Sequence, residues 1–230
     1  MLKVLLQLIL ILFISATIGQ QTILPLLNET LFEREIDWAL KFLHRGSIDI
    51  LANELNSSNE QQKLLAINSY QKEFGFKVDL LNISSFTPEQ KKLLVSGALL
   101  TEVKSQSIYK ILDNKKDVLA FKDTDSPAPH VTAEAQWRIM GSINTIKHQL
   151  LKLPEQQWKT EVERLNQSFD FEIKLALIET LSLSENQKSQ LVNNKISWQE
   201  SEYSIDIEFP LEMAFYKMPN SDFILVVGPI

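Results

Sequence analysis

GSIDILANELNSSNEQQKLLAINSYQKEFGFKVDL, Gly46 to Leu80, returns 95 positions later as GSINTIKHQLLKLPEQQWKTEVERLNQSFDFEIKL, Gly141 to Leu175. Ten of the 35 paired positions are identical, where average composition gives roughly two by chance. The shared residues include Gly46-Ser47-Ile48 with Gly141-Ser142-Ile143, Glu60-Gln61-Gln62 with Glu155-Gln156-Gln157, and Phe74 and Phe76 with Phe169 and Phe171. Apolar character persists at Leu51 and Ile146, Ile67 and Val162, Tyr70 and Leu165, Val78 and Ile173. After a two-residue shift, Thr87-Pro88-Glu89-Gln90 meets Ser184-Glu185-Asn186-Gln187, each opening with a hydroxyl able to cap a short helix. The period is too long for a solenoid. The chain holds two copies of one unit.

Within a copy the expected order is helix, helix, strand, short helix, then several strands. Leu31–Leu55, with apolar Ile36, Leu40, Leu43, Ile50 and Leu51, reads as a long first helix, and Ala133–Leu151 as its counterpart. Glu60–Glu73 and Pro154–Ser168 read as second helices. Phe76–Leu80 and Phe171–Leu175 alternate apolar and polar residues, as a half-buried strand does. Further strands are expected at Ala98–Val103, Ile108–Leu112, Asp117–Phe121, Tyr203–Phe209, Met213–Lys217 and Phe223–Val227, with turns at Asp113–Lys116 and Pro219–Ser221. DTDSPAPHV, Asp123 to Val131, is the linker between copies. Each copy is then a small antiparallel sheet with helices on one face.

The N-terminal run Val4–Ile18, behind the single charge of Lys3, is apolar all round. It reads as an export signal cleaved near Thr17 or Gly19, or as an uncleaved anchor continuing through Leu27. The lone preceding lysine orients the rest of the chain outside the cytoplasm.

A formal charge of -6 with no basic stripe excludes nucleic acid as a partner. The absence of cysteine excludes disulfides and thiol chemistry. No GxSxG, GxGxxG, P-loop or HExxH motif occurs. His44, His130 and His148 lack metal-ligand spacing and read as solvent-facing or singly hydrogen-bonded. Asp113, Asp117, Asp123 and Asp125 are interleaved with lysines and read as turn residues. Trp158 reads as core or docking surface. The sequons at Asn28, Asn56, Asn82 and Asn166 carry no special reading in a chain rich in Asn and Ser. No residue is assigned as catalytic, cofactor-binding or metal-binding, and no cofactor is expected.

The second copy resembles the extracytoplasmic sensor region of RstB-like bacterial sensor histidine kinases. The likeness runs through Gln149-Leu150, Leu153-Pro154-Glu155-Gln156-Gln157-Trp158, Leu165-Asn166-x-x-Phe169-x-Phe171, Leu183-Ser184 and Gln187–Leu191. It ends on Ser221-Asp222-Phe223-Ile224-Leu225-Val226-Val227-Gly228-Pro229. The resemblance implies that Met1–Gly19 is the first membrane helix and that Gly228-Pro229 marks re-entry into the membrane. That family's usual sensor carries one such unit where this chain carries two, and no phosphoacceptor or ATP-binding segment lies within these 230 residues.

The expectation is therefore an α+β chain. A transmembrane anchor or signal segment occupies 1–27, followed by two tandem duplicated helix–helix–antiparallel-sheet, PAS-like sensor units at 28–125 and 126–230. It would act as the sensing region of a two-component histidine kinase in the bacterial inner membrane, with its bulk in the periplasm. A homodimer would form through the membrane-proximal helix, with Leu40, Leu43, Ile50 and Leu51 as its seam or as intramolecular core. A freestanding periplasmic binding module is the alternative, and a hydrolytic enzyme the least supported class.

Overall fold

A computed structural model describes residues 24–73, 76–123, 131–193, 195–200 and 212–228. The chain falls into two compact units, residues 1–39 and 40–230, and both sheets belong to the second. The expected boundary near residue 125 lies outside the described residues, as do Val4–Ile18. Among the described residues no helix is long and apolar enough to cross a membrane.

The first copy begins with α1, Leu24–Asn56, which starts seven residues before the expected Leu31, and α2, Glu60–Glu73. Asn59 opens α2 by accepting the Gln62 N–H at 2.9 Å, while its own N–H reaches Gln62 Oε1 at 3.0 Å. Strand β1, Phe76–Asn82, leads through a 3-10 turn to α3, Pro88–Val95. Strands β2, Leu100–Glu102, β3, Ser107–Ile111, and β4, Asp117–Asp123, complete the copy.

The second copy repeats the series. It runs α4, Val131–Leu151, then a 3-10 turn into α5, Trp158–Leu165, then β5, Ile173–Leu177, and α6, Glu185–Val192. It closes with β6, Ser197–Glu200, β7, Glu212–Lys217, and β8, Phe223–Val227. The expected helix Pro154–Ser168 is thus divided. Pro154 is extended, with ψ 148, and precedes the 3-10 turn rather than entering a helix.

Both sheets are antiparallel and share one strand order, β1-β4-β3-β2 and β5-β8-β7-β6. Their registers agree residue by residue. Val78 faces Phe121 as Ile173 faces Val227, and Leu100 faces Tyr109 as Ser197 faces Phe215. The offset between copies is 95 at Val78, 97 at Leu100 and 106 at Phe121. The last step adds nine residues between β6 and β7. The expected strand Tyr203–Phe209 falls in that insertion, outside the described residues. The expected strand from Phe171 begins instead at Ile173, because the Phe169 and Phe171 rings turn into the core ahead of the sheet.

Helices cover both faces of each sheet, a correction to the one-face arrangement. On one face of the first sheet Val78, Ile108, Leu119 and Phe121 pack under α1 and α2. On the other, Tyr109, Val118 and Ala120 pack against Leu94 of α3. The second sheet does the same, with Leu225 and Val227 toward α4 and α5, and Ile224 and Val226 toward Leu191 of α6. The unbroken apolar runs of β4 and β8 follow directly, since a strand buried on both faces has no polar alternation to show.

Candidate functional site

Helix α1 serves two cores. Ile48, Leu51, Ala52 and Leu55, spaced along one stripe of the helix, enter the core of the first copy. Leu43 and Ile50, two turns apart on the nearly opposite stripe, enter the core of the second. Leu40, Leu43, Ile50 and Leu51, expected at a dimer seam or in an intramolecular core, are all buried within the single chain. Leu43 and Ile50 belong to one core and Leu51 to the other.

The two copies meet where α1 crosses α4. Ser47 Oγ and Ser142 Oγ lie 3.2 Å apart, both fully buried, and Ser142 also donates to the Leu43 carbonyl at 2.5 Å. Ser47 and Ser142 are the same position of the repeat, 95 residues apart. The crossing thus brings equivalent positions of the two copies into contact. The hydroxyls satisfy each other, so the crossing leaves neither polar atom stranded in the core.

Further contacts surround the crossing. Phe42 of α1 meets Phe171 edge-on at 5.9 Å between centroids, and Tyr70 of α2 meets His148 of α4 at 6.2 Å. Arg45 reaches Asp170 at 3.5 Å, and Lys152 reaches Glu54 at 3.1 Å. These two ion pairs are half-exposed and orient the copies more than they stabilise them. The Gly-Ser doublet in the middle of both long helices was the available signal for a close crossing, since small residues let helix backbones approach.

At the end of the last strand, the Gly228 N–H donates to the Glu172 carbonyl at 2.9 Å, with Gly228 at φ 127. Glu172 follows Phe171, so the C-terminal end of β8 lies beside the Phe42 turn of α1. Pro229 lies outside the described residues.

The other singled-out residues have structural duties. His44 is buried, so of its two expected settings, solvent-facing or singly hydrogen-bonded, the first does not hold. His148 packs edge-on against Tyr70. Trp158 is core, its indole N–H donating to the Leu153 carbonyl at 3.1 Å. Asn114 accepts from the Lys116 and Asp117 amides while donating to the Asp117 carboxylate, which makes Asp117 a turn residue. Asn56, Asn82 and Asn166 each accept a backbone N–H, from Asp113, Ser84 and Ile173 respectively. Among the described residues no group of His, Asp and Glu is placed to hold a metal ion.

Few titrating groups are displaced. Burial pushes the Tyr109 and Tyr216 phenols up, and the Glu161 carboxylate beside Arg164 raises the guanidinium further. The Tyr109 hydroxyl donates to Glu102 Oε2 at 3.1 Å, and Ser105 donates to the same oxygen at 2.6 Å.

No family model matches this chain, and comparison with curated proteins finds no match either.

Proposed function

We propose that this chain is the extracytoplasmic sensor region of a membrane-bound two-component histidine kinase, anchored in the bacterial inner membrane with its bulk in the periplasm. The observation that carries the reading is the meeting of Phe42 with Phe171 beside the bond from Gly228 to Glu172. The turn of α1 around Phe42 and the strand that ends at the expected re-entry point lie close together. The resemblance of residues 143–230 to RstB-like sensors supports the same reading.

The mechanism is a change in how α1 crosses α4. Because α1 is shared between two cores, a signal that favours one packing over another moves it relative to β8, and the difference in free energy between packings is the signal's leverage. The proposal assigns no catalytic step, cofactor or metal to these residues. A homodimer of this region would use surface other than the buried Leu40, Leu43, Ile50 and Leu51. Trp38 of α1, Leu64, Leu65 and Val192 are among the large apolar residues exposed on the surface.

The test is a chimera joining residue 230, through a second membrane helix, to the cytoplasmic core of a well-behaved histidine kinase. A disulfide between Ser47→Cys and Ser142→Cys should shift autophosphorylation relative to the reduced form. Unchanged output from an exported, folded chimera contradicts the sensor reading and leaves a freestanding binding module.

A further inference from the structure

At one end of the second sheet a hollow of about 620 Å³ opens between the 3-10 turn ahead of α5, the end of β5 and the turn from β7 to β8. Leu177 and Phe223, opposite each other on β5 and β8, form its apolar part, and the Trp158 ring lies 6.4 Å from that of Phe223. Three charged side chains also line it, Glu155, Lys217 and Asp222. None of the three makes a side-chain hydrogen bond or an ion pair among the described residues. Glu155, three residues before Trp158, comes from the α5 face of the sheet, and Lys217, paired with Ile224, from the α6 face. Acid and base share the hollow without meeting.

The repeat supplies an internal comparison. The offset of 95 puts Asn82 at the place of Leu177, and Glu60 and Lys63 at the places of Glu155 and Trp158. The offset of 106 puts Ile111, Lys116 and Asp117 at the places of Lys217, Asp222 and Phe223. In the first copy these polar groups answer one another or the local backbone. Asn82 accepts the Ser84 N–H at 2.9 Å, Asn114 donates to Asp117 at 2.7 Å, and Lys63 donates to Glu60 at 2.7 Å. In the second copy the carboxylate of Glu155 is kept, its helical lysine has become the buried Trp158, and the pair Asn82–Asp117 has become Leu177–Phe223. Strand order and register are common to the copies, so neither calls for an exposed leucine beside three unanswered charges. The second copy carries them for another reason.

We propose that this hollow binds an amino-carboxylate zwitterion with an apolar side chain, supplied as a free amino acid or as a short peptide. Its ammonium donates to Glu155 and Asp222, its carboxylate accepts from Lys217, and its side chain covers Leu177 and Phe223. A simple amine would bring a second cation to Lys217, and a simple anion would face two carboxylates. Opposite charges on one ligand answer both signs. The binding stands apart from the sensor reading, since it needs only the fold of the second copy.

The test is isothermal titration calorimetry on the full chain in mild detergent, with L-leucine and the dipeptide Leu-Leu as probes. At least one should bind with a dissociation constant of about 1 mM or tighter, and the tighter of the two identifies the source. Its N-acetyl form, which lacks the ammonium, and its amide, which lacks the carboxylate, should each bind about tenfold or more weakly. Glycine or Gly-Gly, without the apolar side chain, should also bind more weakly. Lys217→Ile and Leu177→Asn, the residues of the first copy, and Glu155→Gln should each weaken binding by about tenfold or more. Lys92→Gln, on α3 of the first copy, should leave it unchanged. Circular dichroism establishes that each variant is folded, and one folded charge variant suffices. The proposal is overturned if neither probe binds, or if a blocked form or the glycine match binds as tightly as its parent. Full affinity in a folded variant of the hollow, or an equal loss in Lys92→Gln, overturns it as well.

Discussion

The ring of Phe169 lies so close to the backbone of Gly46 that a methyl group on Gly46 would stand 2.4 Å from its Cδ1. Gly46 belongs to the first copy and Phe169 to the second, so this approach between copies depends on a missing side chain. Phe169 is itself buried, and its ring has little room to withdraw.

Gly46→Ala therefore tests the crossing by the sign of its effect. In an open helix interior the change stabilises by about 0.5–1 kcal/mol. Here overpacking should reverse that and cost about 1–3 kcal/mol in urea unfolding. The double variant with Phe169→Leu should recover part of the loss, since the two residues share one contact.

The two copies also make unequal use of one equivalent position. Asn166 binds Ile173 twice, accepting its N–H at 2.7 Å and donating to its carbonyl at 2.9 Å. Gln71, 95 residues earlier, makes only the second bond, to the Val78 carbonyl at 2.6 Å. Asn166→Ala should destabilise by about 1–3 kcal/mol, because it strands a donor and an acceptor, and Gln71→Ala by less. Urea unfolding of the two variants gives the order directly.

Alkaline pH should weaken the fold in a defined window. Burial raises the phenols of Tyr109 and Tyr216 above their usual 10.0, so the folded chain holds protons that the unfolded chain releases. Below about pH 10 both states are protonated and stability is fully present. It should fall as pH rises above that value, toward the higher folded-state pKa. A pH series of thermal melts on Tyr109→Phe/Tyr216→Phe should show a shallower alkaline decline than the parent chain.

Much of this architecture was legible in the chain because it is written twice. The matched Gly-Ser-Ile and Glu-Gln-Gln segments identify the duplication, and both short helices carry the expected hydroxyl caps, completed as capping boxes by Gln90 and Gln187. What stayed hidden depends on tertiary partners. The apolar runs of β4 and β8 announce burial but not which residues face which helix. A single copy's pattern does not disclose that Leu43 and Ile50 leave their own copy for the other core.

Two copies of one unit meet across the Ser47–Ser142 contact within a single chain. Since the chain has no cysteine, Ser47→Cys/Ser142→Cys introduces just one possible pair, and hydroxyls 3.2 Å apart mark side chains near enough to bridge. Mild oxidation followed by non-reducing electrophoresis and intact mass measurement should give a monomer two hydrogens lighter, with no free thiol and no dependence on protein concentration. Disulfide-linked dimers, or two thiols that stay reactive in the folded chain, would contradict it.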